Sequence, residues 1–333
     1  MLIKNSLIAV VVILLVGVLS AVGAACLPDN PYQRFQLLGA LYQHLAWIYE
    51  RIHYDPKRID VAIVGPSKTL TGVSGSEVEQ RLSVLGKPAS VANLSLVYQG
   101  RNAQWAILEE LYKVKSPRII VVQFDEKPSP WGHPWFMYFA RSVDVAFPPS
   151  MFLHNYLFDV SFLPFRQIEL FAASLFPNFF GLRHAFDPVR YAKARTDFTI
   201  SFRGLSDELV DMEREIPAAE LRDDHEEFKK LLHSPRLPRA LAPFVEADDR
   251  VYLDRIARLA LTHGTKLLLL YIPDFDSGKL DEKIRKYYSK YGTVLDYSDL
   301  ATRNTLFMHW AHLNHAGAMI VSDRIADALA PQL

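Results

Sequence analysis

Five short apolar runs, separated by amphipathic helical patterns, constrain the fold of this chain more than any other feature. The first, IDVAIVG at Ile59–Gly65, has no alternating polar positions after Asp60, the pattern of a strand covered on both faces. SGSEVEQRLSVLG follows as a helix with serine at its start and glycine at its end. Ala89–Leu96 and Arg118–Asp125 read as the second and third strands, with an amphipathic helix over Asn102–Val114 between them. After a long interruption the alternation resumes. A helix over Asp248–Gly264, a strand over Thr265–Pro273, the helical SGKLDEKIRKYYSKYG, a strand over Thr293–Asp299 and a closing helix over Ala316–Leu329 complete it. Strands joined through helices pair in parallel and bury both faces. The sequence therefore predicts an α/β chain with a five-stranded parallel sheet, doubly wound in three α/β/α layers.

The interruption, at about 127–245, reads as an aromatic-rich helical insertion. Trp131–Leu182 is dense in Phe, Tyr and Trp but is broken by Arg141, Asp144, Asp159, Arg166 and Glu169, which argues against a second membrane span. Its aromatic side chains either pack within the domain or rest on a lipid interface or a membrane partner, where aromatic rings are favoured. Glu213–Arg239 is highly charged and expected to be exposed.

The other end of the chain bears on the compartment. Leu7–Ala25 is uncharged, and at about 1.5 Å per residue such a helix covers a hydrocarbon core of about 30 Å. It is longer than the apolar part of a typical cleaved signal, so the expectation is an N-terminal transmembrane anchor over 1–27, with a helical neck over 28–56 and the main domain over 57–333. Lys4 ahead of the run favours an N-terminus inside and a domain outside the cytoplasmic membrane. Cys26 is the single cysteine, so no intrachain disulfide can form. A lipidated cysteine after a cleaved signal would look similar, but Gly23 stands where such signals carry a large aliphatic residue. With 37 basic residues against 37 acidic ones, the composition gives no reason to expect a nucleic-acid partner.

In a parallel sheet, ligands bind beyond the carboxyl ends of the strands, so the residues there carry the functional question. Gly65-Pro66-Ser67-Lys68-Thr69 follows the first run and Tyr98-Gln99-Gly100-Arg101-Asn102 the second. Asp125-Glu126 follows the third, Asp274 the fourth, and three histidines, His309, His312 and His315, follow the fifth. A serine at one strand end and a histidine at another can meet above the sheet, and a histidine within hydrogen-bond reach is what makes a serine hydroxyl nucleophilic.

These stretches resemble the SGNH (GDSL-type) hydrolases. DVAIVGPSKTLTG is similar to their first block, VANLSLVYQGRNAQWAILEEL to their second, and HWAHLNHAGAMIVSDRIADAL to their fifth. The resemblance is closest to the membrane-anchored branch that includes polysaccharide O-acetyltransferases and the D-alanine transfer protein of teichoic acid modification. It implies a flavodoxin-like sheet and an acyltransferase or esterase acting on acyl esters, acetyl above all, of a cell-envelope or exported polysaccharide. It implies Ser67 as nucleophile and His312 as base, with Gly100 and Asn102 contributing to the oxyanion hole, no cofactor, and a multi-spanning membrane acyltransferase as a partner. Two positions depart from the pattern. Gln123, Asp125 and Glu126 stand where the third block has asparagine, and His309 stands where the fifth has the aspartate that orients the base. Asp296 or Asp299 is then a candidate replacement for that carboxylate.

Two other readings stay open. The histidines, spaced by three, would drift across one face of a helix and offer zinc ligands, although no HExxH and no cysteine partners accompany them. The departures also fit a catalytically degenerate scaffold or glycan-binding subunit of a membrane complex.

Overall fold

The computed structural model of the protein describes residues 2–38, 43–127, 132–149, 155–203, 209–231 and 242–333, with the side chains of 2–9, 203, 231 and 242–248 excepted. Its described strands are β1 (Val61–Val64), β2 (Val91–Asn93), β3 (Ile119–Gln123), β4 (Ser201–Arg203) and β5 (Leu209–Asp211). β6 (Lys266–Tyr271), β7 (Thr293–Asp296), β8 (Phe307–His309) and β9 (His312–Leu313) follow. All five runs read from the sequence become strands, and they form one sheet in the order β2-β1-β3-β6-β7, every pair parallel. The chain winds from β1 to one side and then returns to the other, so the crevice above β1 and β3 is the switch point where such sheets bind ligands.

Side-chain alternation along the strands divides the core in two. Ala62, Val64, Ile120, Val122, Leu267 and Leu269 face one cluster, covered by helices Gln43–His53, Arg101–Tyr112 and Ala242–Thr262. Val61, Ile63, Ile119, Val121, Leu268 and Leu270 face the other, covered by helices Gly75–Val84 and His315–Leu329. Because both faces are buried, the strands carry no polar alternation, which is why they stood out as continuous apolar runs.

Two expectations about the N-terminal segment change. Within 28–56 the described helices are Pro31–Arg34 and Gln43–His53, but they pack onto the domain where a neck leading away from it was expected: Leu45, Ile48 and Ile52 are fully buried in the first core cluster, and Tyr32 and Phe35 join them. A helix does form where the anchor was expected, over Leu2–Ala25, and its apolar side chains from Val10 to Val22 are exposed. Among the described residues, however, no helix is long and apolar enough to cross a membrane. The structure supports the helix and leaves the span unsupported.

The insertion divides between two uses. Phe136, Met137, Ala140, Val145 and Leu163 build a small core of their own. Arg166, fully buried in helix Tyr156–Leu175, ties that core together by donating to the Met137 and Ala140 carbonyls and to Ser142 Oγ. The rest of the insertion reaches back over the sheet as the antiparallel hairpin β4–β5 and helix Ala218–Leu231. That charged helix is mostly exposed, as expected, but Ile216 and Leu221 plug it into the second core cluster. Within the insertion, residues 128–131, 150–154, 204–208 and 232–241 lie outside the described residues.

Candidate active site

Ser67 opens the short helix Ser67–Gly72 directly after β1, with Pro66 as its N-cap. A first-turn amide has no acceptor within its own helix, so the Ser67 N–H is intrinsically free to face an anion. Gly65 lets the turn close: a Cβ there would lie 2.2 Å from Thr69 Oγ1 and 2.9 Å from Gln123 Cβ. At the other end of the domain, β8 and β9 form a hairpin in which His309 and His312 are paired residues. The two imidazoles therefore sit across a strand pair with ring centroids 5.4 Å apart, and not along a helix as their spacing of three suggested.

The hairpin brings His312 to the serine. His312 Nε2 lies 2.8 Å from Ser67 Oγ. The ring's other nitrogen, Nδ1, lies 3.4 Å from His309 Nδ1, and the Ala311 N–H donates to that same His309 nitrogen at 3.3 Å. An atom that accepts from a backbone N–H carries no proton, so His309 Nδ1 is an acceptor and His312 Nδ1–H is the donor toward it. The neutral His312 ring then has an unprotonated Nε2, which accepts from the Ser67 hydroxyl. This is the tautomer that a general base for serine needs.

What His309 does not supply is charge. Burial above all, and then the neighbouring His309 and Lys68, push His312 down to about 3, although one side of its ring borders a cavity. His309 is itself lowered by burial, against the pull of Asp224 and Asp274. A carboxylate at 309 would hold His312 up; an imidazole does not.

Neither candidate replacement acid bonds to His312. Asp296 is tied to Arg285 through one oxygen and accepts from the Ser298 N–H at 2.8 Å through the other. Asp299 is paired with Arg324 at 2.7 Å. Both expectations are corrected: the carboxylates at the end of β7 are held by arginines on neighbouring helices.

The remaining strand ends converge on Lys68, the residue after Ser67. Its ammonium pairs with Asp125 beyond β3 at 3.2 Å and with Asp274 beyond β6 at 2.6 Å, and these two carboxylates hold its pKa above the usual value against burial. Asp125 also accepts from Gln123 Nε2 and Gln99 Nε2, each at 3.1 Å. The carboxylate that would oppose an oxyanion is thus neutralised and turned into a brace between strand ends.

Gly100 and Asn102 are drawn toward the insertion. Gly100 has φ 147°, and a Cβ on it would lie 2.4 Å from the His133 backbone nitrogen. Asn102 Oδ1 accepts from the His133 N–H at 2.9 Å, while its buried Nδ2 has no hydrogen-bond partner among the described residues. His133 Nε2 in turn meets the Val97 carbonyl at 2.8 Å. Gly100 lines a small cleft together with Pro66, next to the serine, but neither it nor Asn102 lines the cavity in front of the hydroxyl.

That cavity, about 260 Å³, is lined by Ser67, Thr71, Phe202, Val210, Met212, Met308, His309 and His312. Phe202 and Val210 come from β4–β5, so the insertion roofs the serine. His315 clamps the roof: its N–H donates to the Met212 carbonyl at 2.7 Å, and its Nδ1 meets the Thr199 carbonyl at 3.1 Å. The three histidines thus take three different positions, one on the serine, one behind it and one holding the roof. Among the described residues no cluster of His, Cys, Asp or Glu is arranged to hold a metal ion.

Compared with known proteins, the chain matches no family model, and no curated sequence matches it.

Proposed function

We propose that the chain is a serine-dependent acyltransferase or esterase of SGNH type, with a flavodoxin-like fold, tethered to the cytoplasmic membrane and acting on its outer side. Its substrates are acyl esters, acetyl among them, of a cell-envelope or exported polysaccharide. The observation that carries this reading is the 2.8 Å contact between Ser67 Oγ and His312 Nε2 at the carboxyl rim of a parallel sheet.

In this reading Ser67 Oγ attacks the ester carbonyl while its proton passes to His312 Nε2. The carbonyl–alkoxy bond then breaks, and His312 returns the proton to the departing alcohol. A second alcohol or water repeats the sequence on the acyl-serine. The Ser67 N–H, at the first turn of its helix, is a preorganised donor for the oxyanion, a contact typically worth roughly 3 kcal/mol of barrier. The test is turnover of p-nitrophenyl acetate by the full chain in detergent. Ser67→Ala and His312→Ala should each lower kcat by about 10³-fold or more, and unchanged turnover in Ser67→Ala would sink the proposal.

A non-catalytic scaffold or glycan-binding subunit is the second reading. It is favoured by one observation, the uncharged His309 behind the base. Full biological activity of Ser67→Ala would support it.

The tether is supported by surface chemistry. Leu157, Phe158, Phe165, Ile168 and Leu175 form an exposed apolar face on helix Tyr156–Leu175, and Phe176 and Phe179 extend it. The exposed hydroxyls of Ser161 and Ser174 are bonded to carbonyls of their own helix at 2.8 and 2.7 Å, as a lipid-facing helix requires. This helix packs against the apolar N-terminal helix. A polarity-sensitive fluorophore on Phe179→Cys, in a Cys26→Ser background, should shift to the blue in liposomes, whereas one on Leu261→Cys should not. Equal emission at both positions would assign the face to water. The partner consistent with such a tethered transferase is a multi-spanning membrane acyltransferase. Its co-purification, lost on Phe158→Ser with Phe165→Ser, is the corresponding test.

A further inference from the structure

The cavity in front of Ser67 has walls of one kind. Phe202, Val210, Met212 and Met308 supply apolar surface, and among the described residues the one polar side chain lining it besides the serine and the two histidines is Thr71. The Thr71 hydroxyl is already committed, donating to the Ser67 carbonyl at 3.0 Å. A sugar ring placed here would strip its hydroxyls of water and find almost nothing to pair with, which is costly. The glycan therefore belongs outside the cavity, and the space beside the hydroxyl belongs to the acyl chain.

Its size sets the length of that chain. A closed apolar cavity of about 150 Å³ accepts a benzene ring, and this one, open to solvent on one side, measures about 260 Å³. An acetyl group, with one methyl beyond the carbonyl, would leave most of it empty. Two of the four apolar walls are methionines, whose unbranched thioether chains adapt to a flexible aliphatic guest.

We infer that the β4–β5 hairpin, Met212 and Met308 form an acyl-chain pocket, and that the preferred acyl donor carries a medium-length aliphatic chain of roughly six to eight carbons. This rests on Ser67 acting as the nucleophile, because the pocket is defined by its position beside that hydroxyl. The chain lies against Phe202, Val210 and Met308, with the ester carbonyl at Ser67. The alcohol half of the ester stays outside, toward solvent.

The experiment is a chain-length series of p-nitrophenyl esters from acetyl to decanoyl, hydrolysed by the full chain in detergent, with fluorophosphonate labelling of Ser67 run in parallel. Each methylene buried should raise kcat/KM by about 4-fold, the equivalent of about 0.8 kcal/mol, until the pocket fills near octanoyl. Val210→Trp, which narrows the pocket from its roof, should bring the octanoyl-to-acetyl ratio down by at least 10-fold, and Phe202→Ala should move the optimum to longer chains. If Ser67 reacts with the fluorophosphonate but acetyl is the best ester, or the ratio is the same in both variants as in the unaltered chain, the acyl-pocket inference is overturned and the serine mechanism stands. If Ser67 does not react at all, the serine mechanism falls and the pocket with it.

Discussion

His309→Asp should raise the rate at which Ser67 reacts with a fluorophosphonate by about 10²-fold. An aspartate Oδ and a histidine Nδ1 lie the same number of bonds from Cα, so the substitution puts a charged acceptor close to where His309 Nδ1 now meets the base. Replacing the charged acid of a serine triad by a neutral amide costs about 10⁴, but part of that loss comes from the wrong tautomer of the base. Here the tautomer is already set by the Ala311 N–H and His309 Nδ1, so only the missing charge is restored and the gain is smaller. His309→Asn, which offers an acceptor without charge, should react at about the rate of the unaltered chain. The pH profile separates charge from geometry. With His312 pushed down to about 3, its free base persists as pH falls, and the reaction rate of the unaltered chain should show no break near 6.5. In His309→Asp the carboxylate raises that pKa, and an acid limb should appear toward neutrality. Equal rates and equal profiles for the two variants would mean that charge at 309 is irrelevant.

The second large effect concerns stability in acid. Burial pushes His44 down to about 3, His133 to about 4 and His312 to about 3. The unfolded chain protonates these groups near 6.5 and the folded chain does not until far lower pH. Unfolding therefore takes up protons in the window from about 6.5 down to 4, and stability present above 6.5 is lost as pH falls through it. Asp159, pushed up to about 7 by burial, acts in the opposite direction, as do Glu109 and Glu169, which burial also raises. The histidines outweigh them because His44 and His133 are buried and His312, half-buried beside the cavity, adds to them, and the net loss between pH 7 and pH 5 should be on the order of 2 kcal/mol, a sizeable share of a domain's stability. The urea midpoint at the two pH values measures it, and His133→Gln should flatten the dependence. A midpoint that stays level or rises in acid would contradict these protonation states.

The sheet was readable because both its faces are buried: continuous runs such as IDVAIVG and KLLLLY have little alternative to central parallel strands. Ser67 and His312 were readable because strand ends in such a sheet share one rim, whatever their distance along the chain. The surroundings of the pair were less so. The spacing of His309, His312 and His315 suggested a helix face, and only the two-residue pairing of β8 with β9 turns it into two rings in contact. Asp296 and Asp299 sat at the right strand end, but Arg285 and Arg324, on separate helices, had already taken their carboxylates. The roof of the cavity could not be read, since Phe202, Val210 and Met212 lie in an insertion with no periodic pattern, and their placement depends on hydrogen bonds from His315. Lys68 adjoins the serine, but its role is invisible along the chain because its bonds run to two other strand ends.

Peptide mapping after exposure of the full chain to a fluorophosphonate puts the account to its most direct trial. A single adduct on the Ser67 peptide is expected, absent from Ser67→Ala and greatly slowed in His312→Ala. No adduct, or one on a different serine that persists in Ser67→Ala, would mean that the hydroxyl and imidazole meeting at the rim of the sheet do not form a nucleophile.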